Sequence, residues 1–491
     1  MTQRFYMILP LVLYLAGVMA IALWSRKIGK KTHDTKSFVE EYFLGSRSMG
    51  GFVLAMAIIT TYTSASSFVG GPGVAYKMGL GWILLAMIQV PTAFLTLGVL
   101  GKKFAIIARR INAVTVTEFL RARYRNDAVV ILSSIALLVF FMASMLAQFI
   151  GGARLFQSIT GYPYLVGLII FGVTVIIYTT VGGFRAVVLT DTIQGSMMVV
   201  ASIALLWSVV HAGGGMTSVI QKLHEIDPAL ITPFGPNNFI SKPFILSFWV
   251  LVGFAILGLP QTTVKCMGYK DARSMHNAMI VGTFIVGFLM LCMHMVGALG
   301  RAVVPNIEVG DLAVPTLTIH LLSPFWAGIF IAGPLAAIMS TVDSMLILAS
   351  AAIIKDLYLN YISKEPEKVN PAAIGRMSFV VTGILGVMVF LAALRPPSLL
   401  VWINLFAFGG LEAVFLWPTI LGLYWKRANA TGAILSIVAG CGSFIYFTIT
   451  KVKWMGAHQI VPTIAIGLIA FIIGAYIGKK PDDKTIELFW G

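Results

Sequence analysis

Six hydroxyl side chains fall between positions 60 and 67 of this chain: Thr60, Thr61, Thr63, Ser64, Ser66 and Ser67, with Tyr62 among them. They sit inside residues 50–79, a stretch that is otherwise apolar and long enough to cross a bilayer. The run closes on Val69-Gly70-Gly71-Pro72-Gly73, a composition that disfavours regular helix and is expected to mark the outer end of the span. The helix break itself is expected within the hydroxyl run. Backbone groups in hydrocarbon must all find partners, so a loosened segment at this depth is tolerated only where it is buried in protein or lines a wet cavity. The stretch therefore reads as a ligand or ion site rather than a lipid-facing anchor.

A second apolar stretch, 330–352, contains Ala337, Ser340, Thr341 and Ser344, which helical spacing of three and four places on one face. Hydroxyls with a free carbonyl suit a hard monovalent cation, which takes oxygen ligands and needs neither thiolate nor imidazole. A Ser/Thr face is also how membrane helices pack closely. Asp343, next to that face, favours the cation, because an unpaired carboxylate has no packing rationale. Intramembrane acids are costly unless they face a cavity or a partner, and the sequence offers three: Asp191, Asp343 and Glu412. Asp191 groups with Thr190 and Gln194 just after a Gly182-Gly183 turn, as a cation-pathway residue or a structural hub. Glu412 follows Phe408-Gly409-Gly410-Leu411, where helix packing, gating and substrate contact are all open.

The elements that position these groups are membrane spans. The chain has 491 residues, 58% hydrophobic and 11% charged, with mean hydropathy +0.91, which excludes an ordinary soluble domain. Apolar runs near the 20 residues a span needs lie at 5–25, 48–72, 79–100, 127–155, 163–181, 185–210, 244–264, 277–298, 324–352, 374–394, 398–424, 430–449 and 458–478. The expectation is thus an all-α polytopic membrane protein with about 13 transmembrane helices and no soluble domain. The first run ends in Ser25-Arg26-Lys27 rather than a small-residue cleavage site, so it reads as a retained helix. With the N-terminus outside, 26 of the 35 basic residues fall on the cytoplasmic side, which predicts an N-out, C-in orientation. That distribution makes the formal charge of +16 a topology signal rather than a nucleic-acid footprint.

Three longer connections carry character of their own. Residues 114–124 form a basic, partly apolar segment expected as a short helix on the inner surface or as a solvated loop helix. Residues 213–242 are polar and proline-rich and lie outside, and 312–322 form an outer helix too short to span. The stretch 246–264 repeats the interrupted character of the first site: Gly253, Gly258 and Pro260 precede Gln261, Thr262 and Thr263, which predicts a break midway. Two Gly/Pro-interrupted helices at matching positions of two halves point to a secondary transporter with inverted repeats. Five spans (48–210) precede this break and five (244–424) begin with it, flanked by peripheral helices at 5–25 and 430–478, all in one membrane transport domain.

Cys266, Cys292 and Cys441 are far apart and read as packing residues, with neither disulfide nor metal spacing. His294 reads as a packing histidine rather than a proton relay. No catalytic or phosphate-cradling motif is present, so an ATP-driven pump or a membrane enzyme is disfavoured. A solute sensor is disfavoured too, because residues 479–491 leave no room for an output domain. No cofactor and no obligate protein partner are expected.

Together the segments YFLGSRSMGG (42–51), the hydroxyl-rich second span, GGFRAVVLTDTIQ (182–194) and AAIMSTVDS (336–344) resemble the sodium/solute symporter family. The segments ASSFVGGPG (65–73), QFIGGARL (148–155), SFWVLV (247–252) and FAFGGLEAVFLWP (406–418) are most similar to its bacterial pantothenate-carrying branch. The resemblance covers about residues 5–480. It implies a five-plus-five inverted-repeat core of the amino-acid-transporter (LeuT) type with discontinuous helices, in a bacterial cytoplasmic (inner) membrane. It also implies Na+ as coupling ion and pantothenate, or another small carboxylate or polar solute, as substrate.

By the same resemblance the main sodium site takes the backbone carbonyls of Thr60, Thr63 and Ala337 and the hydroxyls of Ser340 and Thr341. A possible second cation site takes Asp191, Ser340, Asp343 and Ser344. Relatives tend to carry a hydroxyl or amide where this chain has Asp343, so that site holds either a second sodium or a proton. Tyr62 stands where related proline symporters carry an aspartate, which disfavours a proline-type substrate. Expected substrate contacts are Tyr62, Ser64, Ser67, Trp249, Gly253 and Gln261, with backbone N–H groups of a broken helix holding the carboxylate. Phe248 and Trp249 read equally as gates or as packing.

Overall fold

The computed structural model describes residues 2–28, 48–363, 365, 369–396 and 400–491; in helices, the side chains of residues 2, 3, 26–28, 183–185 and 371 are also left aside. Residues 42–47 of the YFLGSRSMGG segment lie outside these, as do Lys30, Lys31, Lys36, Arg47, Lys364 and Lys368 of the basic set and positions 398–399 of one expected span. The regular structure of the described residues is all helical, with no strand and one isolated bridge, Met49 to Tyr269.

The helices are α1 (Thr2–Ile28), α2 (Gly51–Tyr62), α3 (Ser66–Met78), α4 (Gly81–Arg110), α5 (Val116–Tyr124), α6 (Asp127–Thr160), α7 (Tyr164–Gly182) and α8 (Ala186–Ala212). They continue with α9 (Met216–Ile226), α10 (Lys242–Gly258), α11 (Pro260–Gly268), α12 (Ala272–Gly300), α13 (Ala313–Leu321) and α14 (Pro324–Ile362). The last are α15 (Pro371–Ala392), α16 (Leu400–Tyr424), α17 (Ala430–Thr450), α18 (Ile460–Ile477) and α19 (Asp483–Trp490). Among the described residues eleven helices are long and apolar enough to cross a membrane, and two bent pairs, α2/α3 and α10/α11, would raise the number to thirteen. Each bent pair opens a run of five spans. This is a multi-pass membrane protein.

Helix α14 is the central post. Its apolar window is 94% buried, against 28% for α1 and 33% for α15 and α17, which places those three at the periphery and α14 in the middle. Its Ser/Thr face can therefore be satisfied only by protein or by a bound ion.

The bend between α2 and α3 is 70° and falls at Thr63-Ser64-Ala65, inside the hydroxyl run. The expected end of the span at Gly70–Gly73 is not observed: the chain stays helical to Met78. Local propensity yields here to packing. A Cβ on Gly71 would stand 2.4 Å from His294 Nε2, and one on Gly73 would stand 2.3 Å from the Gly310 carbonyl oxygen. These glycines make room for neighbours instead of ending the helix. The second bend, 47°, lies at Leu259 just before Pro260, as expected. Spans α7 and α8 meet at the Gly182-Gly183 segment, where the chain bends so tightly that a Cβ on Gly182 would stand 2.6 Å from that of Ala186.

Residues 116–124 form the expected short helix, α5, but it is more deeply packed than either reading of 114–124. Val116, Phe119, Leu120, Arg123 and Tyr124 are buried. The Arg123 Nε donates to Gly422 O at 2.8 Å, and Tyr124 OH donates to Pro418 O at 2.7 Å. The segment is a wedge under the end of α16. The segment 312–322 holds the short helix α13, too short to span, as expected. All three cysteines are free.

Candidate functional site

The break between α2 and α3 strips two carbonyls of their helical partners. The Ser64 N–H, which would close a turn on Thr60 O, faces Ser67 Oγ at 3.4 Å, and the Ser67 N–H donates to Ser64 O at 2.9 Å rather than to Thr63 O. Helix α14 meets both freed oxygens. Ser340 Oγ lies 3.0 Å from Thr60 O, 2.9 Å from Ala336 O and 3.1 Å from Ala337 O. Thr341 Oγ1 lies 3.5 Å from Thr60 O and 3.0 Å from both Thr63 O and Ala337 O. Thr60, Thr63, Ala337, Ser340 and Thr341 are all 0% exposed.

Two hydroxyl protons thus face six short oxygen contacts. Each hydroxyl donates one hydrogen, so the cluster holds more lone pairs than protons. Hard cations of calcium's size, which sodium shares, bind oxygen at about 2.3–2.6 Å. That length sets adjacent ligand oxygens about 3.2–3.7 Å apart, close to the spacings here. The side chains of Thr60 and Thr63 turn away, donating to Ala57 O at 3.3 Å and Ile59 O at 2.7 Å, which leaves their backbones facing α14.

The residues proposed for a second cation are each engaged by another group. Asp191 Oδ2 is 3.0 Å from Lys265 Nζ, both side chains at most 1% exposed. Tyr178 OH donates to Asp343 Oδ2, and Ser344 Oγ pairs with Thr61 Oγ1 at 3.2 Å. Gln194 Nε2 donates to Tyr14 OH at 2.9 Å. Among the described residues, Asp191 Oδ1, Asp343 Oδ1 and Gln194 Oε1 are buried without partners. The Lys265 ammonium is the feature missed in the sequence, where its position at a span's end read as cytoplasmic. Glu412 is buried with neither carboxyl oxygen partnered among the described residues.

Beside the break lies a cavity lined among others by Tyr62, Ser64, Ser67, Gln89, His294 and Asn404. Three of the six expected substrate contacts, Tyr62, Ser64 and Ser67, come together there. The other three do not line it: Trp249 is 53% exposed on the outer surface of its helix while Phe248 lines the cavity, Gly253 packs against Ile88, and Gln261 is buried with an unpartnered Oε1.

The backbone N–H groups expected to hold a carboxylate are occupied. The Ala65 N–H donates to Gln148 Oε1 at 2.7 Å, that of Ser66 to Ser64 Oγ, and those of Ser67 and Phe68 to Ser64 O. This network orients the amides instead. Because the Ala65 N–H fixes Gln148 Oε1 as acceptor, Gln148 Nε2 donates to Asn404 Oδ1 at 3.3 Å, beside Ser144 Oγ at 2.8 Å. Asn404 then presents its NH2 to the cavity. Tyr62 OH donates to Gln89 Oε1 at 2.9 Å, which leaves the Gln89 NH2 as a second donor. His294 Nδ1 donates to Met290 O at 2.8 Å, a partner that can only accept, so the neutral ring carries a lone pair on Nε2. His294 is thus a cavity residue, not only a packing one. The described lining includes no Lys or Arg.

A buried oxygen cluster at a helix break, next to an amide- and hydroxyl-lined cavity, is the construction of an ion-coupled secondary transporter. The chain belongs to the sodium:solute symporter family, whose sequence profile matches residues 42–440. It is 51% identical over 479 residues to the sodium/pantothenate symporter of Haemophilus influenzae, covering 97% of this chain and 98% of that one. It is also 51% identical to the sodium/pantothenate symporter of Escherichia coli, covering 98% of both. Among solved structures, a substrate-bound, outward-open Na+-coupled sialic acid symporter superposes with a TM-score of 0.80 at 18% identity, covering 97% of this chain and 99% of that one. That last likeness is one of fold.

Proposed function

We propose that this protein takes up pantothenate by sodium symport, through alternating access of the central cavity, in a bacterial cytoplasmic membrane. The substrate is the one named for relatives at 51% identity along the whole chain. The observation that carries the coupling is the five-oxygen cluster of Thr60, Thr63, Ala337, Ser340 and Thr341, which has a lone-pair surplus and no acid of its own. A sodium ion there would pin the broken ends of α2 to α14. The two runs of five spans act as inverted repeats, 48–210 and 244–424, with thirteen spans in all, N-out and C-in.

Pantothenate carries a carboxylate, an amide and two hydroxyls. An inside-negative potential opposes its entry by about 2.3 kcal/mol per charge per 100 mV, so one sodium makes the step electroneutral. At the second set of residues Lys265 already supplies a cation to Asp191 from within the chain, which supports one sodium per pantothenate. Within the cavity the NH2 groups of Asn404 and Gln89 suit the carboxylate, and Ser64, Ser67 and His294 Nε2 suit the hydroxyls and amide.

The test is uptake of radiolabelled pantothenate into proteoliposomes with inward sodium or potassium gradients of equal size. Uptake above the potassium level with sodium supports the proposal, and equal uptake refutes it. Sodium-driven uptake of another radiolabelled small carboxylate, with unlabelled pantothenate failing to compete, would move the substrate to that class.

A further inference from the structure

At the far end of the molecule from the break, α5, the start of α17, the link after α18 and the start of α19 line an open pocket. Arg123, Arg125, Lys479 and Lys480 line it, and Asp482 is the one acid among its described lining residues. That acid is already taken, with Asp482 Oδ2 2.6 Å from Arg125 Nη1. Four cationic heads around one cavity repel one another unless an anion joins them.

Arg123 is the deepest of the four, 1% exposed. Its guanidinium lies under the Trp490 ring of the C-terminal helix, 5.1 Å from the centroid. Its Nε and Nη2 donate to the carbonyls of Gly422 and Trp425, but Nη1 has no hydrogen-bond partner among the described residues. A buried guanidinium with a spare N–H beside further cations is matched to the oxygens of a phosphate, which accepts from several donors at once.

The surroundings favour a phosphate that carries acyl chains. Ile473 and Ile477, one turn apart on α18, are 49% and 76% exposed and lead along an apolar helix to the link that supplies Lys479 and Lys480. A basic pocket at the end of such a ridge has the form of an anionic headgroup site. We propose that this pocket binds the phosphate of an anionic phospholipid and thereby fastens α19 against α5. Nothing in the transport reading assigns it, and its failure would leave that reading untouched.

The test uses purified full-length protein, wild type and the double variant K479A/K480A, which leaves the packed Arg123 in place. Native mass spectrometry after incubation with equal phosphatidylglycerol and phosphatidylcholine reads retained lipid, and thermal unfolding reads stabilisation. Retention of phosphatidylglycerol at least fivefold over phosphatidylcholine by the wild type, reduced several-fold in the double variant, supports the proposal. Arg123→Gln should cut retention further if it stays folded. Equal retention of the two lipids, or no difference between wild type and K479A/K480A, overturns it. Stabilisation by millimolar inorganic phosphate without selective lipid retention would assign the pocket to a soluble phosphate and overturn the lipid source.

Discussion

Replacing Thr341 by Ala removes one of the five oxygens of the cluster formed with the freed carbonyls of α2 while leaving every other part of the site. Thr341 Oγ1 reaches Thr63 O and Ala337 O at 3.0 Å and Thr60 O at 3.5 Å, so it is the side chain that ties both strands of the break together. A polar contact to a charged partner contributes about 1.5–3 kcal/mol. At about 1.4 kcal/mol per tenfold, its loss predicts a rise of roughly 10- to 150-fold in the sodium concentration giving half-maximal uptake. The maximal rate at saturating sodium should change much less, because the cavity residues are untouched. Thr341→Ser keeps the oxygen and loses one buried methyl, about 0.8 kcal/mol of packing, so its sodium dependence should stay near wild type. The assay is the initial rate of pantothenate uptake in proteoliposomes across sodium concentrations. If Thr341→Ala unfolds at lower temperature but keeps its half-saturating sodium within twofold, the face only packs α14 against α2 and the sodium assignment is wrong.

Three further outcomes follow from the geometry. Breaking the buried Asp191–Lys265 pair from one side leaves an uncompensated charge, costing about 3–5 kcal/mol, so Lys265→Met should lower thermal stability sharply and Lys265→Met with Asp191→Asn should recover much of it; additive losses would mean the two are not a pair. Asn404→Asp keeps the size of the side chain but sets a negative charge against the substrate carboxylate. Its KM for pantothenate should rise at least tenfold with sodium dependence little changed, and an unaltered KM removes Asn404 from the cavity chemistry. Between α12 and α13, burial pushes the Asp311 carboxyl up from 3.8 to about 6, opposed by the Leu400 N–H. The folded state therefore holds this proton more tightly than the unfolded one. Stability is lost as pH rises from about 4 to 6, a penalty of about 1–3 kcal/mol that persists above. Asp311→Asn should gain in Tm over wild type as pH increases through that window, and a constant difference would show that the carboxyl does not titrate there.

The parts of this protein legible in its sequence are those written in local patterns. The hydroxyl run, the Gly-Pro interruption before Gln261 and the three- and four-residue spacing of Ala337, Ser340 and Thr341 each carry their signal within a few residues, and the breaks and the shared face follow from them. Gln89, Gln148 and Asn404 gave no such signal. They are single amides in apolar spans, and Gln148 meets Ala65 and Asn404 only through packing across 83 and 256 positions. Lys265 misled for a different reason: a lysine at the end of a span is ordinarily solvated, and only the α8–α11 contact reveals that it is enclosed. The Gly70–Gly73 run shows the opposite case, since glycine and proline read as helix breakers where close approach of His294 and Gly310 is what excludes a side chain.

The sodium-binding claim at the centre of this account is tested most directly by a high-resolution structure with sodium and pantothenate, compared with one in which choline replaces sodium. A density peak about 2.3–2.6 Å from Thr60 O, Thr63 O, Ala337 O, Ser340 Oγ and Thr341 Oγ1, absent in choline, is the predicted result. A sodium peak only between Asp191 and Asp343, with the five-oxygen cluster unchanged on exchange, would contradict it.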